Sequence, residues 1–355
     1  MSVIRVEGAA EKQAGIYYEY DAAAAPIGEG GMGKVFVGEC VSESTGERIP
    51  VALKLISSPT KDLIDRAMRE ASVQIDHPNL LRMYGFIPNM EYDSYQKNYI
   101  VRYYIVMERL VGVTLSSLIS GCFIDCSGMH IPYAQSLYES YCSDRKKTVV
   151  TIMSNILAGV GELHSRGFIH RDLDPSNVMV TIDNEIKLID YGICKPYALS
   201  PASGPKLTQV GALIGKVDYA APEVITGDVA NHNRTTDIYS LGIMLYQLFT
   251  GSLPFAGDNS QIMQAHLNQN IPLRNINDSQ IRNVVDKATR KDQASRYQNV
   301  SDMLADLQEN VNPEPDGGDG GDDGDGVKNP GPKWWVYLLV GIAGLAAGAI
   351  AALVI

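Results

Sequence analysis

The sequence lacks the features that mark several common classes of protein. Five cysteines among 355 residues is a low and odd number, which argues against a secreted disulfide scaffold and favours reduced thiols. Acidic residues outnumber basic ones by 41 to 30, and a formal charge of −11 argues against a nucleic-acid-binding surface. Residues 1–14 contain no apolar run, so they do not predict a signal peptide. We therefore expect a cytoplasmic main body that binds no nucleic acid.

The C-terminal part of the chain differs sharply in composition from the rest. Residues 312–333 are rich in Asp, Gly and Pro without apolar periodicity, which predicts a flexible acidic linker. The Asp-Gly spacing there resembles a calcium loop only in part, because the closing Glu of an EF-hand is missing.

Residues 334–355 carry no charged side chain. As a helix with a rise of about 1.5 Å per residue they would extend about 33 Å, enough to cross a bilayer core of about 30 Å. Lys328 and Lys333 precede this stretch, and the positive-inside tendency then leaves the main body in the cytoplasm. The sequence predicts a single-pass C-terminal anchor. Gly344 and Gly348 would permit a homodimer through that helix, although such residues are common in membrane helices.

The remaining residues predict an α+β protein, in which a small β-rich lobe precedes a larger helical one. We divide it into a tail (1–15), a small lobe (16–110) and a large lobe (111–311). Periodicity predicts strands over 35–37, 49–56 and 99–107, and helices over 61–75, 149–163 and 236–250.

Two segments of this region look like insertions. A tyrosine-rich insertion at 92–104 predicts an extended hairpin. A second, at 119–145, contains Cys122, Cys126, His130 and Cys142, whose spacing does not match a zinc site, so we expect free thiols there.

A glycine-rich segment opens the small lobe. Its glycines would allow backbone amides to approach phosphate oxygens closely. A P-loop would need Ser or Thr at position 35, and a dinucleotide fingerprint would need a helix after the glycines, whereas a strand is predicted there. A strand on each side points to a lid over nucleotide phosphates. The residues concerned are Gly28, Glu29, Gly30, Gly31, Gly33 and Val35.

Further motifs follow in a fixed order. They are Val51-Ala52-Leu53-Lys54, Ile169-His170-Arg171-Asp172-Leu173-Asp174-Pro175-Ser176-Asn177, Ile186-Lys187-Leu188-Ile189-Asp190-Tyr191-Gly192 and Ala221-Pro222-Glu223. Each alone can occur by chance, but in this order the set resembles the protein-kinase signature. The chain is similar to membrane-anchored, eukaryotic-like (Hanks-type) Ser/Thr protein kinases of bacteria. This resemblance implies a bilobal protein-kinase fold that uses ATP and Mg²⁺.

The resemblance also implies a role for each motif residue. Lys54 would pair with the α- and β-phosphates of ATP, and Asp172 would accept the proton of the substrate hydroxyl. Asn177 and Asp190 would hold Mg²⁺, since hard cations prefer oxygen ligands. Glu70 would orient Lys54, but it lies closer to the His77-Pro78-Asn79 segment than is usual in the family, so Asp65 stays an alternative.

The same resemblance places adenine between the lobes. Ala52 and Met107 would line its site, with Met107 as gatekeeper, and Glu108 and Leu110 would offer backbone groups to the base. Asp237 is similar to the buried aspartate of the large-lobe helix, and Arg296 is similar to the arginine that pairs with Glu223.

Some positions depart from the family pattern. Asp174 stands where Ser/Thr kinases usually carry a lysine, which predicts lower activity or an altered substrate contact. Lys216 replaces a threonine, and Tyr191 replaces a phenylalanine beside Asp190. Loop hydroxyls are candidate acceptors of an activating phosphate that Arg171 would bind: Ser200, Ser203 and Thr208.

We predict an autophosphorylating Ser/Thr protein kinase that acts on protein hydroxyls at the cytoplasmic membrane face. A membrane-tethered pseudokinase scaffold is the alternative, and a small-molecule kinase is a third interpretation. The Ala-Pro-Glu segment fits a platform for protein substrates better than the last of these.

Overall fold

The computed structural model describes residues 3–30, 33–93, 97–190, 195–196 and 217–309. The chain divides into two compact units, Met1–Asn312 and Pro313–Ile355, and the second lies outside the described residues. The predicted linker and membrane helix therefore also lie outside them. Among the residues that are described, no helix is long and apolar enough to cross a bilayer.

An antiparallel sheet dominates the small lobe. Its strands are β1 (Val3–Val6), β2 (Ile16–Asp21), β3 (Gly28–Gly30), β4 (Gly33–Ser42), β5 (Arg48–Ile56), β6 (Met83–Asp93) and β7 (Asn98–Glu108). They are arranged in the order β1-β2-β4-β5-β7-β6, and β3 pairs with β4. The lobe also contains the helices α1 (Ala9–Ala14) and α2 (Lys61–Ser72), and α2 packs on β6 and β7. The three predicted strands and the predicted helix of this lobe are present.

Strand β5 is central, and alternate side chains enter different cores. Val51 and Leu53 belong to a cluster with Ile87 and Tyr104, whereas Ala52 joins the main core that continues into the large lobe. Lys54 shares the face of Ala52 because strand side chains alternate. The pleat thus directs a lysine toward the space between the lobes.

The first residues form part of the small lobe, contrary to the predicted tail over 1–15. Strand β1 pairs with β2 from Val3↔Asp21 to Val6↔Tyr18, and Val6 is fully buried. The free edge of β1 meets β6 through the buried side chain of Asn89. The Asn89 amide donates to the Arg5 carbonyl (3.0 Å) and accepts from the Glu7 amide (3.2 Å). Four residues were too short a pattern to reveal this strand.

Helices form most of the large lobe. They are α3 (Leu115–Ile119), α4 (Pro132–Ser143), α5 (Arg145–Ser165), α6 (Pro222–Ile225), α7 (Arg234–Thr250), α8 (Asn259–Asn268), α9 (Ser279–Ala288) and α10 (Val300–Gln308). Short strands accompany them: β8 (Gly112–Thr114), β9 (Phe168–Ile169), β10 (Val178–Thr181), β11 (Ile186–Leu188) and β12 (Lys195–Pro196). Helix α7 contacts α5 and α9, its residues are mostly buried, and it ends at Gly251 in the left-handed conformation as predicted.

The two insertions differ in structure. The predicted hairpin at 92–104 is present as the extension of β6 and β7, with Tyr92 paired to Tyr99. The insertion at 119–145 contains α4, and the thiols of Cys122, Cys126 and Cys142 are free and exposed. Within the described part of the chain, no group of three or more His, Cys, Asp or Glu side chains is placed to hold a metal ion.

We predict that Asn89→Ala lowers the free energy of unfolding by about 2 kcal/mol, because it removes two partly buried hydrogen bonds, to the Arg5 carbonyl and from the Glu7 amide. Urea unfolding would measure this change. Met90→Ala is the matched control, because Met90 is 71% exposed, and it should stay within about 0.5 kcal/mol of the wild type. Equal losses in both variants would contradict the role given to Asn89.

Candidate active site

A buried ion pair joins β5 to α2. The Lys54 ammonium lies 2.9 Å from Glu70 Oε1 and 3.3 Å from Oε2, and the two residues are only 9% and 1% exposed. Glu70 occupies this position because Ala67, Glu70 and Ala71 form the buried face of α2. The structure therefore places Glu70, and not the alternative Asp65, against Lys54. Burial raises the pKa of Glu70, and the Lys54 ammonium opposes that rise.

Asp190 approaches the same lysine from the large lobe. Its Oδ1 lies 3.7 Å from Lys54 Nζ, and 42% of its side chain is exposed. Its backbone has a φ of 63°, a left-handed value that is costly for a residue other than glycine. The surrounding structure thus holds Asp190 at the end of β11, with its carboxylate accessible from the cleft.

The predicted catalytic loop, Ile169–Asn177, is ordered by hydrogen bonds within it and by hydrogen bonds to α7. Asn177 donates through Nδ2 to the Asp172 carbonyl at 2.8 Å, so its amide oxygen is the atom suited to coordinate a cation. Asp237 of α7 accepts from the backbone amides of His170 (2.8 Å) and Arg171 (2.7 Å). Arg171 has a φ of 68°, so the loop turns sharply just before Asp172. The structure thereby brings Asp172 and Asn177 together.

Asp237 is fully buried, and burial alone would raise its pKa. The hydrogen bond with His164 Nε2 (2.8 Å) and the loop amide donors outweigh burial and lower the pKa of Asp237 below its usual value. The carboxylate thus stays ionised as the anchor of the loop. The predicted identity of Asp237 as the buried aspartate of the large-lobe helix is confirmed.

Asp174, which stands where Ser/Thr kinases usually carry a lysine, has a structural role in this loop. Its side chain caps the short 3₁₀ turn Pro175–Asn177, where Oδ1 accepts from the Ser176 amide at 2.6 Å and from the Ser176 hydroxyl. The residue is 6% exposed. Asp174 therefore stabilises the turn that carries Asn177.

The glycine-rich segment forms the β3–β4 hairpin. Gly28, Glu29 and Gly30 pair with Val35, Lys34 and Gly33. A Cβ at Gly33 would lie 1.9 Å from the Leu55 carbonyl oxygen, so no other residue fits there. Val35 of β4 pairs with Lys54 of β5, so the hairpin lies beside the lysine. Gly31 lies outside the described residues.

The connection between the lobes follows β7. Met107 pairs with Ala52, and both are buried in the main core, as a site for adenine between the lobes would require. The Glu108 amide donates to the Arg82 carbonyl (2.9 Å), which leaves the Glu108 carbonyl as its backbone group for a base. Leu110, partly buried, packs against the same core.

Two positions of this region were not predicted to matter. Lys187 of β11 is 7% exposed and lies 3.1 Å from the Glu108 carboxylate. Asn79 donates to the Ile186 carbonyl (2.9 Å) and accepts from the Leu188 amide (2.9 Å), so it ties the loop after α2 to the strand that precedes Asp190. A lysine inside the apolar run Ile186–Leu188 was the available signal for the first of these.

A buried ion pair supports the segment after the catalytic loop. Arg296 binds Glu223 bidentately at 2.8 and 3.0 Å, and Thr236 donates to the same carboxylate at 2.9 Å. Burial would raise the pKa of Glu223, but the Arg296 guanidinium lowers it overall. The predicted Glu223–Arg296 pair is confirmed.

The remaining positions singled out above lie outside the described residues. They are Tyr191, Ser200, Ser203, Thr208 and Lys216.

Comparison with known proteins gives a consistent result. A family model described as the protein kinase domain matches residues 22–311. The probable serine/threonine-protein kinase PknB of Lactococcus lactis is 35% identical over 291 residues, which cover 79% of this chain and 40% of that protein. The serine/threonine-protein kinase PrkC of Bacillus subtilis is 30% identical over 289 residues, covering 79% of this chain and 39% of the relative. PknB of Mycobacterium tuberculosis is 32% identical over 217 residues, covering 60% and 31%. The chain thus spans about two fifths or less of the length of these relatives.

We predict that Arg296→Met lowers the free energy of unfolding by about 3–5 kcal/mol, because it leaves Glu223 buried without its cation. Chemical denaturation at neutral pH would measure this loss. Arg290→Met is the control: Arg290 pairs with Asp286 at 3.3 Å with both side chains about half exposed, and its loss should cost less than about 1 kcal/mol. A similar small cost for Arg296→Met would contradict the structural role of the pair.

Proposed function

Because the chain belongs to the protein kinase family, we propose that it is a Ser/Thr protein kinase, which transfers the γ-phosphoryl group of ATP to hydroxyl groups of proteins. The observation that carries this proposal is the convergence of Lys54, Glu70 and Asp190 from separate elements, beside a loop in which Asn177 binds the Asp172 backbone. Phosphoryl transfer depends on such positioning and on charge stabilisation more than on covalent chemistry. The names of the relatives support the choice of Ser/Thr kinase.

In this proposal Lys54 binds phosphate oxygens of ATP as a point charge, and Glu70 holds its ammonium in place. The β3–β4 hairpin covers the phosphates with backbone amides, which its glycines permit at close range. Ala52, Met107 and Leu110 enclose the adenine. These residues bind and orient the nucleotide, and they exclude water from the reacting phosphate.

Asn177 and Asp190 are the residues that would hold Mg²⁺. Their donor set fits a hard cation, since an amide oxygen and an accessible carboxylate are both oxygen ligands. When bound, Mg²⁺ would offset negative charge on the phosphates. Asp172 accepts the proton of the attacking hydroxyl and orients that oxygen toward the γ-phosphorus. The Asp237 anchor keeps Asp172 in register with Asn177.

A protein acceptor is favoured over a small molecule by the segment before α6. The residues Val217–Tyr219 form a 3₁₀ turn just before the Ala-Pro-Glu motif, and the buried ion pair with Arg296 holds Glu223 of this motif in place. We call the turn Val217–Tyr219 the ledge, and an ordered surface of this kind suits an extended peptide.

We predict that the full-length chain incubated with Mg-ATP becomes phosphorylated on Ser or Thr, as phosphosite mapping by mass spectrometry would measure. Asp172→Asn should lower the rate by about 100-fold or more, because it removes the proton acceptor. Lys54→Met should also abolish transfer through loss of the phosphate contact. Asp183→Asn is the matched control, since Asp183 is exposed in the turn after β10, and it should retain the wild-type rate.

Two results would contradict this proposal. Phosphate that persists in Asp172→Asn would mean that Asp172 is not the proton acceptor. A wild-type chain that binds ATP but transfers no phosphate, both alone and in membranes, would favour the pseudokinase scaffold.

We also propose that residues 334–355 anchor the kinase in a membrane, with its catalytic unit in the cytoplasm. The uncharged stretch and the lysines before it support this arrangement. Homodimers through Gly344 and Gly348 would bring two catalytic units together for autophosphorylation of Ser200, Ser203 or Thr208. The 22-residue acidic linker, 312–333, would give each unit the reach for this.

We predict that the full chain stays in the membrane pellet after washing with high salt and carbonate. Leu345→Arg combined with Ala349→Arg should release a large share of it, because each arginine costs about 2.5–3.5 kcal/mol at the centre of a membrane helix. Immunoblots of pellet and supernatant would measure the distribution. A wild-type chain that is washed off the membrane would contradict the proposed anchor.

A further inference from the structure

A buried histidine on α8 is part of a hydrogen-bonded chain that the mechanism above does not use. His266 is 1% exposed, and its Nε2 lies 3.0 Å from the backbone carbonyl oxygen of Asp218. Its Nδ1 lies 2.9 Å from the hydroxyl of Tyr239, on α7. The Lys291 ammonium lies 3.2 Å from that same hydroxyl. The chain runs from Lys291 through Tyr239 and His266 to Asp218.

The direction of every hydrogen bond in this chain is fixed by its ends. A carbonyl oxygen can only accept, so His266 must carry its proton on Nε2. Burial and the nearby Lys291 lower the pKa of His266 to about 4, so the ring is neutral at pH 7 and Nδ1 is an acceptor. Tyr239 therefore donates to His266, and its oxygen accepts from the Lys291 ammonium, which can only donate. One tautomer of His266 satisfies all of these groups.

The acceptor at the end of the chain belongs to the ledge beside the catalytic loop. Asp218 is the middle residue of the turn Val217–Tyr219, and the electrostatic influence of Asp174 reaches both Asp218 and Tyr219. Helix α7 holds the same turn from two other sides. Ser240 donates to the Tyr219 carbonyl (2.8 Å), and the Tyr219 hydroxyl donates to Gln247 (2.6 Å). His266 adds the contact from α8.

We propose that His266 is a positioning residue for protein substrates: through Nε2–H it fixes the Asp218 carbonyl and so holds the turn Val217–Tyr219 in the conformation that receives the acceptor. The proposal rests on the Ser/Thr kinase function above. It assigns to Tyr239 the task of holding the imidazole ring, because the hydroxyl that donates to Nδ1 keeps Nε2–H directed at the Asp218 carbonyl. ATP binding, which the proposed function assigns to Lys54 and the β3–β4 hairpin, should not depend on this chain.

The test measures phosphate transfer from ATP to myelin basic protein by the full-length chain at varied acceptor concentration. His266→Leu should raise KM for the acceptor about tenfold, the equivalent of one buried hydrogen bond to the ledge. Its kcat and its KM for ATP should change by less than about twofold. His266→Gln should recover most of the loss, because its amide nitrogen can donate near the position of Nε2.

Two buried tyrosines of α7 give a matched pair. Tyr239→Phe keeps the ring but removes the hydroxyl of the chain, and it should raise KM for the acceptor. Tyr246→Phe loses a buried hydroxyl that accepts from Asn275 at 2.8 Å, away from the ledge, and it should leave KM unchanged. Equal effects of the two substitutions would overturn the proposal.

Amide hydrogen exchange of residues 217–221 is a readout that does not need activity. It should become faster in His266→Leu and Tyr239→Phe and stay at the wild-type rate in Tyr246→Phe. Unchanged exchange in His266→Leu would overturn the proposal even if its kinetics changed. If the wild-type chain transferred no phosphate, the kinase function would fail, while the exchange rates would still decide whether His266 holds the turn.

Discussion

The buried carboxylate of Asp237 is the constraint on which the catalytic loop depends. A buried charge must be compensated by hydrogen bonds, and here His164 and the amides of His170 and Arg171 supply them. The amides can reach one carboxylate only if the chain turns sharply, which explains the left-handed backbone of Arg171. Asp237, in the helical core, therefore holds the strained backbone of the loop in place. Asp172 is the residue immediately after this strained position.

Helix α7 extends this constraint beyond the loop. The same helix carries Tyr239, Ser240 and Gln247, which bind the turn Val217–Tyr219 directly or through His266. Its first turn supplies Thr236 to the Glu223–Arg296 pair. A helix buried on almost all sides is rigid, because close-packed interiors resist small displacements. The loop before Asp172, the turn Val217–Tyr219 and the Glu223–Arg296 pair are thus fixed relative to one another by one helix.

The sequence could predict those parts of the site that depend on local pattern. The resemblance to protein kinases named Glu70 as the residue that orients Lys54, and the structure places Glu70 on the buried face of α2 with Ala67 and Ala71. Long-range contacts were beyond reach. Asn89 contacts the segment of β1 from 84 residues away, and no local pattern predicts that contact. His266 likewise forms its hydrogen bonds with residues that lie far from it in the chain. The family pattern also did not predict that Asp174 caps its own turn, because that pattern has a lysine at this position.

Charge in the cleft connects the two lobes and limits what can bind there. Lys54 lies 2.9 Å from a Glu70 carboxylate oxygen and 3.7 Å from an Asp190 carboxylate oxygen, so acidic groups of the protein already surround its ammonium. In the proposed function a bound cation would add positive charge here, and Asn177 and Asp190 of the large lobe would supply its oxygen ligands. The charges around Lys54 come from both lobes, since Lys54 and Glu70 belong to the small lobe and Asp190 to the large one.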